Sequence, residues 1–187
     1  MASKGVRVTG TDGSDFEHRE TVAGRYKSSI AFKGKLRWGI YAHIALYLIM
    51  TGKMFNDFLD RFDILIPAVA ELAIPKPLTW EYVWMASLVP SLFGLASLNR
   101  NRNVFLHVFI YGTILLGIFP VLAGTASWST ALLDYYNDHR STKDRFMGQP
   151  TVVLWFIFFA LALEVHGYCL YCAFNLRKAW DKTFKTK

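Results

Sequence analysis

Two long apolar runs, joined by only five polar residues, are the feature that most limits how this chain can fold. Residues 82–98 are 17 positions without a charge, and residues 104–126 are 23 such positions if His107 is counted as neutral. Each run is long enough to cross a bilayer, because a spanning helix needs about 20 mainly apolar residues at about 1.5 Å per residue. The connector, residues 99–103, is so short that it predicts an antiparallel helical hairpin with both ends on one side of a membrane.

The distribution of positive charge predicts which side that is. The connector contains Arg100 and Arg102, and short loops rich in Lys and Arg mark the cytoplasmic face of a membrane protein. Residues 1–37, the connector and residues 177–187 together hold 15 of the 21 Lys and Arg residues. Both terminal segments are basic and are therefore expected in the cytosol, which requires an even number of crossings. Four spans satisfy this requirement.

Composition supports a membrane protein over the soluble classes. Hydrophobic residues make up 53% of the chain and charged residues only 19%, which is too apolar and too charge-poor for an ordinary soluble domain. The net charge of +7 does not indicate nucleic acid, since the basic residues lie in the gaps between apolar runs and not along one soluble face. Membrane lipids are the expected partner, at about 1 kcal/mol per well-placed cation near anionic headgroups.

The predicted fold class is therefore an all-α membrane protein with four transmembrane helices in a compact bundle. The predicted spans lie at about residues 38–58, 80–98, 104–126 and 150–174. A polar amino-terminal arm, residues 1–37, is expected to be cytosolic and partly disordered, with a short helix capped by Ser14 and Glu17. Residues 177–187 are expected to form a basic cytosolic tail.

The segments that connect the spans on the other side contain both charges and prolines. Residues 59–79 are predicted to form a short interfacial helix, because Pro75 and Pro77 prevent one continuous helix into the second span. Residues 127–147 are predicted to form a soluble loop with balanced charge. Near the same end of the first span, Lys53 is expected to extend its ammonium group to the lipid headgroups.

Two polar residues within the fourth span are candidates for intramembrane chemistry. Glu164 lies about halfway along this span, where an ionised carboxylate costs roughly 3 kcal/mol, so it should be protonated, paired or turned to the bundle interior. With His166 it suggests a proton or ion relay, with His43 or His107 as candidate partners. The competing interpretation is a hydrogen-bonded structural histidine, because helical residues two positions apart point to different faces and cannot share a proton.

A pair of cysteines near the end of the fourth span has several interpretations. Cys169 and Cys172 have the spacing of a redox pair or of half a zinc site, although a redox pair would lie at a helix amino terminus and zinc needs four ligands. Palmitoylation of these cysteines near the cytosolic headgroups is a further interpretation, and inert packing of their side chains is the main alternative.

Small residues and prolines in the second and third spans predict how the helices pack. Small side chains allow helices to approach closely and to form interhelical hydrogen bonds. We expect these contacts within the bundle, and a contact in an oligomer is the second interpretation. Pro90 and Pro120 are expected to kink their helices. The small residues of the second span are Ser87, Ser91, Gly94 and Ser97.

The sequence lacks the arrangements on which catalysis usually depends. No Ser-His-Asp, HExxH, P-loop or paired-carboxylate motif occurs in a setting that permits a reaction. We therefore predict no catalytic residues, no cofactor and no metal site.

Several short motifs resemble those of one family of membrane proteins. In order and spacing they are similar to the Jagunal family, small four-span proteins of the endoplasmic reticulum, from about residue 9 to the carboxyl tail. The most specific part is the amino-arm motif Gly10, Thr11, Asp12, Gly13, Ser14, Asp15 and Phe16, followed by His18 and Arg19. The further matches are Trp80-Glu81-Tyr82, Pro90-Ser91-Leu92, Gly94-Leu95, Val165-His166 and Leu170-Tyr171.

The resemblance implies a function without catalysis. It implies a role in endoplasmic reticulum organisation and in vesicle-mediated protein transport in the secretory pathway, including exocytosis, and a link to the COPI retrieval coat. The arm motif then becomes the candidate partner-binding segment, and Lys182, Lys185 and Lys187 become candidates for retention in the reticulum. The tail departs from a Lys-Lys-X-X signal at Phe184, and some family members have a neutral amide at the position of Glu164. The alternative class is a small intramembrane transporter or enzyme that uses Glu164 and His166.

Overall fold

A computed structural model describes residues 14–64, 66–67, 74–137, 145–146 and 148–180 of the chain. Almost all of the described residues are helical. In chain order the elements are α1 (Ser14–Arg61), α2 (Thr79–Met85), α3 (Leu88–Arg100), α4 (Asn103–Gly112), a π-helical segment (Thr113–Ile118), α5 (Phe119–Ser127), α6 (Ser129–Asn137), strands β1 (Arg145–Phe146) and β2 (Gln149–Pro150), and α7 (Thr151–Trp180).

Helix α1 is a single helix of 48 residues that runs from the arm through the whole predicted first span. The expectation of a short, separate helix in the arm is thus wrong. No proline occurs before Pro67, and the glycines of this region are isolated from one another, so nothing in the sequence interrupts the backbone hydrogen bonds. The helix ends at Arg61, just before Asp63, which has a φ of 54°.

In the described part of the chain, three helical stretches are long and apolar enough to cross a membrane. They are Thr79–Arg100, Asn103–Ser127 and Thr151–Trp180, with 22, 25 and 30 residues. These confirm three of the four predicted spans by length and composition. The predicted span at 38–58 belongs to α1 and remains a prediction, because charged side chains such as Lys53 and Asp57 lower its apolar character.

Helices α1 and α7 pack antiparallel along most of the length of α7. At one end, the Trp180 indole Nε1 donates to Ser29 Oγ over 2.8 Å. Farther along, Gly39 lies against the Cys169 side chain, and beyond that the Lys53 ammonium lies over the Trp155 ring. Residues 29–53 of α1 thus pack against residues 155–180 of α7, and the two helices run in opposite directions.

The buried side chains form two clusters at opposite ends of the bundle. One cluster brings together Leu36, Leu98, Leu106 and Leu176, so the connector and the end of α7 meet at what we term the connector end. The other cluster is rich in tryptophan, and we term its location the aromatic end. Its buried members are Leu46, Met50, Met54, Trp80, Trp84, Val121, Trp155, Phe159 and Ala162.

Both prolines that were expected to kink helices lie at irregular points of the backbone. The second span is divided into α2 and α3 just before Pro90, and the third span contains the π-helical segment just before Pro120. A proline has no N–H to donate and clashes with the carbonyl four residues earlier, so the preceding turn must rearrange. The hairpin between these spans closes at Asn101, whose left-handed φ of 51° ends α3.

The segment between the third and fourth spans contains more structure than the predicted soluble loop. It begins with helix α6, and its end pairs Arg145 with Pro150 and Phe146 with Gln149 in a two-stranded antiparallel ladder. Gly148 at the turn has a φ of 81°. The helix was missed because the segment was judged as a whole, and the charges that indicate a loop lie mostly after Asn137, beyond the end of α6. Of the predicted interfacial helix at 59–79, residues 65 and 68–73 lie outside the described residues, residues 59–61 are the end of α1, and residues 74–78 belong to no helix or strand.

Candidate functional site

A chain of buried polar side chains crosses the middle of the bundle and centres on His43. The Ser91 hydroxyl donates to the Ser87 carbonyl over 3.0 Å, so its oxygen accepts from His43 Nδ1 over 2.9 Å. On the other side of the ring, the Ser87 hydroxyl lies 3.0 Å from His43 Nε2 and donates to it. The imidazole is therefore a neutral tautomer with both nitrogens satisfied, held by the break between α2 and α3.

The second buried histidine, His166, lies beside the first. The two imidazole centroids are 4.8 Å apart. Trp84 Nε1 donates to His166 Nε2 over 3.2 Å, which requires that this nitrogen carries no proton. The ring packs against Gly117 of the π-helical segment, where an added Cβ would lie 2.9 Å from His166 Cε1. Four separate stretches of chain thus meet around the two histidines.

The geometry of this site favours packing over proton relay. Of the three alternatives expected for Glu164, the one that turns it to the bundle interior is wrong, since its side chain is exposed on the outer face of α7. His166 is buried, so the two residues point to different faces of the helix, as expected for positions two apart. His107 is distant from both, at the connector end, where its Nδ1 lies 2.7 Å from the Asn103 carbonyl oxygen.

A second polar cluster, which the sequence did not reveal, lies at the aromatic end. Lys53 Nζ donates to Glu81 Oε2, and the Glu81 side chain is almost completely buried. Its other oxygen, Oε1, accepts from the Leu78 backbone N–H over 3.0 Å and so caps the start of α2. The expectation that Lys53 extends to the headgroups is wrong, because a buried carboxylate in the neighbouring helix holds its ammonium group inside the bundle.

The same cluster continues toward the end of α1. Tyr82 donates its hydroxyl proton to Asp57 Oδ2, and Arg61 Nε donates to the same carboxylate oxygen over 3.0 Å. Arg61 also stacks over the Tyr82 ring at 5.4 Å from its centroid. The motif Trp80-Glu81-Tyr82 therefore joins α1 to α2 through both of its polar members, with Trp80 packed at the aromatic end.

The two cysteines lie inside the packed interface between α1 and α7. Both thiols are free, and both residues are buried. A Cβ at Gly39 would lie only 2.7 Å from Cys169 Sγ, so this sulfur occupies the space left by the glycine. This placement favours the packing interpretation. Among the residues that the structure describes, no group of three or more metal-ligating side chains comes together.

The small residues of the second span are all buried, as the packing interpretation predicts. Gly94 lets α3 approach Phe109 and Ile40, from which an added Cβ would be 2.6 and 3.0 Å away. A comparable row of small residues in the third span was not predicted. Its members, Gly112, Gly117 and Gly124, face Pro90, His166 and Trp80 respectively. Their spacing of five and seven hid the pattern, because the π-helical segment between the first two shifts the helical repeat.

The two terminal candidate segments are described only in part. Residues 10–13 of the arm motif lie outside the described residues, and for Ser14, Asp15, Phe16 and His18 only the helical backbone is described. Arg19 is exposed on α1. The retention candidates Lys182, Lys185 and Lys187 lie outside the described residues.

Known proteins resemble the chain over almost its full length. A family model described as "Jagunal, ER re-organisation during oogenesis" matches residues 1–184. The chain is 38% identical over 195 residues to "Protein jagunal" of Drosophila melanogaster, covering 100% of this chain and 98% of that protein. It is 37% identical over 183 residues to "Protein jagunal homolog" of Caenorhabditis briggsae, covering 96% and 97% of the two chains. It is 32% identical over 188 residues to "Protein jagunal homolog 1" of Homo sapiens, covering 100% and 98%.

Proposed function

The chain belongs to the Jagunal family, and from that premise we propose that it is a non-enzymatic, multi-pass protein of the endoplasmic reticulum membrane. Its proposed role is organisation of the reticulum and vesicle-mediated protein transport in the secretory pathway, including exocytosis. The observation that carries this proposal is the family match over residues 1–184, since the family's description names re-organisation of the reticulum and no reaction.

The packing of the membrane region supports a non-enzymatic role. His43 has both ring nitrogens occupied by serine hydroxyls, and His166 is packed against Trp84 and a glycine. Glu164 is exposed on the opposite face of α7, which is why the alternative of a transporter or enzyme built on Glu164 and His166 is not favoured.

The proposed topology has four spans and places the connector end in the cytosol. Ser29 of α1, the connector and Trp180 all lie at this end, together with the basic residues Arg100 and Arg177. Positive charge concentrated at one end of a bundle is the usual mark of the cytoplasmic side. In this topology, the first span is the part of α1 that packs against α7.

Glycosylation in microsomes tests this topology with two single substitutions. Arg140→Asn creates an acceptor at 140–142 in the segment proposed to be lumenal, and we expect it to add the mass of one N-glycan. Asp12→Asn creates a matched acceptor at 12–14 in the arm, which is expected to stay unmodified. A glycan on the arm acceptor would place the arm in the lumen and contradict the topology.

The arm end of α1 is the proposed surface for a cytosolic partner. Because Trp180 contacts Ser29, the described part of α1 continues for 15 residues beyond the end of α7, or about 22 Å at 1.5 Å per residue. Val22, Tyr26 and Ile30 are exposed there at intervals of four residues, so their apolar side chains form one stripe. This stripe adjoins the candidate partner-binding motif at residues 10–19.

Substitution of this stripe tests the proposal in cells that lack the protein. We expect the triple change of Val22, Tyr26 and Ile30 to Ser to abolish rescue of reticulum morphology and of secretory cargo exit. The matched control changes Ala23, Lys27 and Ala31 to Ser, which are exposed on the adjacent face with the same spacing, and it should rescue. Glu164→Gln should also rescue, because Gln keeps the shape and lacks only the ionisable group. Failure of Glu164→Gln with full rescue by the stripe variant would support the transporter or enzyme class instead.

The basic tail is the second proposed cytosolic surface. We propose that Lys182, Lys185 and Lys187 help retain the protein in the reticulum, through the COPI coat or the anionic cytosolic leaflet. The end of α7 carries Arg177 and Lys178 at the connector end, which supports a basic surface on that side.

A further inference from the structure

Glu164 is an exposed polar side chain halfway along α7, a helix long enough to cross a membrane. It lies 13 residues from Thr151, where α7 begins, and 13 residues from Arg177, near the basic end of the helix. At about 1.5 Å per residue each distance is about 20 Å, and the hydrocarbon core of a bilayer is about 30 Å thick. In the proposed topology the Glu164 carboxyl group therefore lies near the centre of the bilayer and faces lipid chains.

The chain itself supplies no partner for this carboxyl group. Among the residues that the structure describes, none forms a hydrogen bond or an ion pair with the Glu164 side chain. Ionisable side chains within a membrane are rare, and they almost always pair with one another or with other polar groups. An unpaired carboxyl group on the lipid-facing surface therefore indicates a hydrogen-bonding partner from outside the chain.

The exposed residues around Glu164 have the spacing of a helix–helix interface. They follow one another along α7 at intervals of three and four, as in the seam between two parallel helices. The neighbours of Glu164 in this row, Ala160 and Gly167, are small, and a Cβ added at Gly167 would meet nothing within 4 Å. Small residues at such a seam let two helix backbones approach closely in a membrane. The row, which we term the Glu164 seam, consists of Ile157, Ala160, Glu164, Gly167, Tyr171 and Phe174.

A carboxylic acid group is complementary to a second copy of itself. Its neutral form, which a hydrocarbon medium favours over the charged form, has one O–H donor and one carbonyl acceptor. Copies of one protein cross a membrane in the same orientation, so Glu164 of one copy lies at the same depth as Glu164 of another. A two-fold axis along the membrane normal brings the two groups together, and each then donates to the other. A helix of a different protein would need a suitable polar group at this one depth.

We propose that the Glu164 seam is the interface of a homodimer, in which α7 packs parallel to α7 of a second copy and the two Glu164 carboxyl groups exchange two hydrogen bonds. Ala160 and Gly167 lie on either side of this contact and allow the two backbones to approach. The inference rests on the proposed crossing of the membrane by α7 and does not depend on the role in the secretory pathway.

Disulfide cross-linking in phosphatidylcholine vesicles tests whether the seam faces a second copy. The purified full-length chain with Ala160→Cys is oxidised with copper phenanthroline, and the measurement is the fraction that migrates at twice the monomer mass. Ala123→Cys is the matched control, since Ala123 is also exposed and its neighbour Gly124 packs against Phe159, at the depth of Ala160. The unaltered chain is the blank, because both native cysteines are buried.

We expect the Ala160→Cys chain to cross-link several-fold more than the Ala123→Cys chain at the same protein-to-lipid ratio. Equal cross-linking of the two chains overturns the second copy as the partner. A cross-link from Ala160→Cys to a different protein in microsomes, with no species of doubled mass, also overturns it. Resistance of the chain to extraction at alkaline pH is measured in the same samples. A chain that is extracted contradicts the membrane crossing itself, which distinguishes that failure from the failure of the dimer.

Substitutions of Glu164 test the hydrogen bonds, with Ala160→Cys as the reporter. Glu164→Leu should raise the protein-to-lipid ratio of half-maximal cross-linking about tenfold, because two interhelical hydrogen bonds are lost. Glu164→Gln is the matched control and should stay within about twofold of the unaltered side chain, since an amide keeps a donor and an acceptor. An unchanged ratio in Glu164→Leu, or a rise in Glu164→Gln as large as that in Glu164→Leu, overturns the exchange of hydrogen bonds.

Discussion

Lys53→Met is expected to destabilise the folded chain by about 3 to 5 kcal/mol, because it leaves the Glu81 carboxylate buried without its charge partner. Glu81 is almost completely buried, and its remaining contact is one backbone N–H. For a chain of this size the loss corresponds to a fall in the unfolding midpoint of roughly 10 °C. Tryptophan fluorescence during thermal unfolding of the purified chain in detergent measures it, since Trp155 lies against the substituted side chain.

A second substitution separates loss of the pair from loss of packing. Combining Lys53→Met with Glu81→Gln removes both charges and keeps an amide oxygen for the Leu78 N–H, so most of the lost stability should return. Lys178→Met is the matched control at an exposed lysine, and it should change stability by less than about 0.5 kcal/mol. A double variant no more stable than Lys53→Met alone would contradict the role of the ion pair.

Gly112→Leu is expected to cost about 3 kcal/mol, at the upper end of overpacking effects in protein cores. A Cβ at Gly112 would lie 2.4 Å from Pro90 Cβ and 2.8 Å from Pro90 Cγ. The proline ring is rigid and cannot rotate away, so α3 and α4 would have to separate. The midpoint of thermal unfolding should fall by several degrees.

The control for this prediction is Gly34→Leu, which adds the same side chain to α1, where a Cβ meets nothing within 4 Å. This variant should be as stable as the unaltered chain or slightly more so, because Leu has the higher helix propensity. Equal stability of Gly112→Leu and the unaltered chain would show that the two helices do not depend on their close approach.

The spans were predictable where long runs lack charge, as in the hairpin of residues 82–126. The length of α1 was less evident, because hydropathy cannot distinguish a charged helix from a charged loop between residues 19 and 37. The absence of proline before Pro67 was the available signal. It was outweighed by the polar composition of the arm.

The polar sites depend on helix rotation and on which helices are neighbours, and one sequence does not give either. A position inside the bundle was one of the alternatives for Glu164, but the buried face of α7 passes through Ala162, His166 and Cys169, and Glu164 lies outside it. The Lys53–Glu81 pair had a weak signal: one isolated base and one isolated acid occur at corresponding ends of neighbouring spans. Recognising it requires knowing that the two helices are in contact.

The unbroken course of α1 has a mechanical consequence for the arm. The helix that carries Tyr26 also carries His43, and His43 is fixed to Ser87 and Ser91 by hydrogen bonds on both ring nitrogens. Because α1 is unbroken between these positions, residues 14–37 cannot rotate about the helix axis unless His43 leaves its place in the bundle. The direction in which the exposed stripe of Val22, Tyr26 and Ile30 faces is therefore tied to the position of His43 in the bundle.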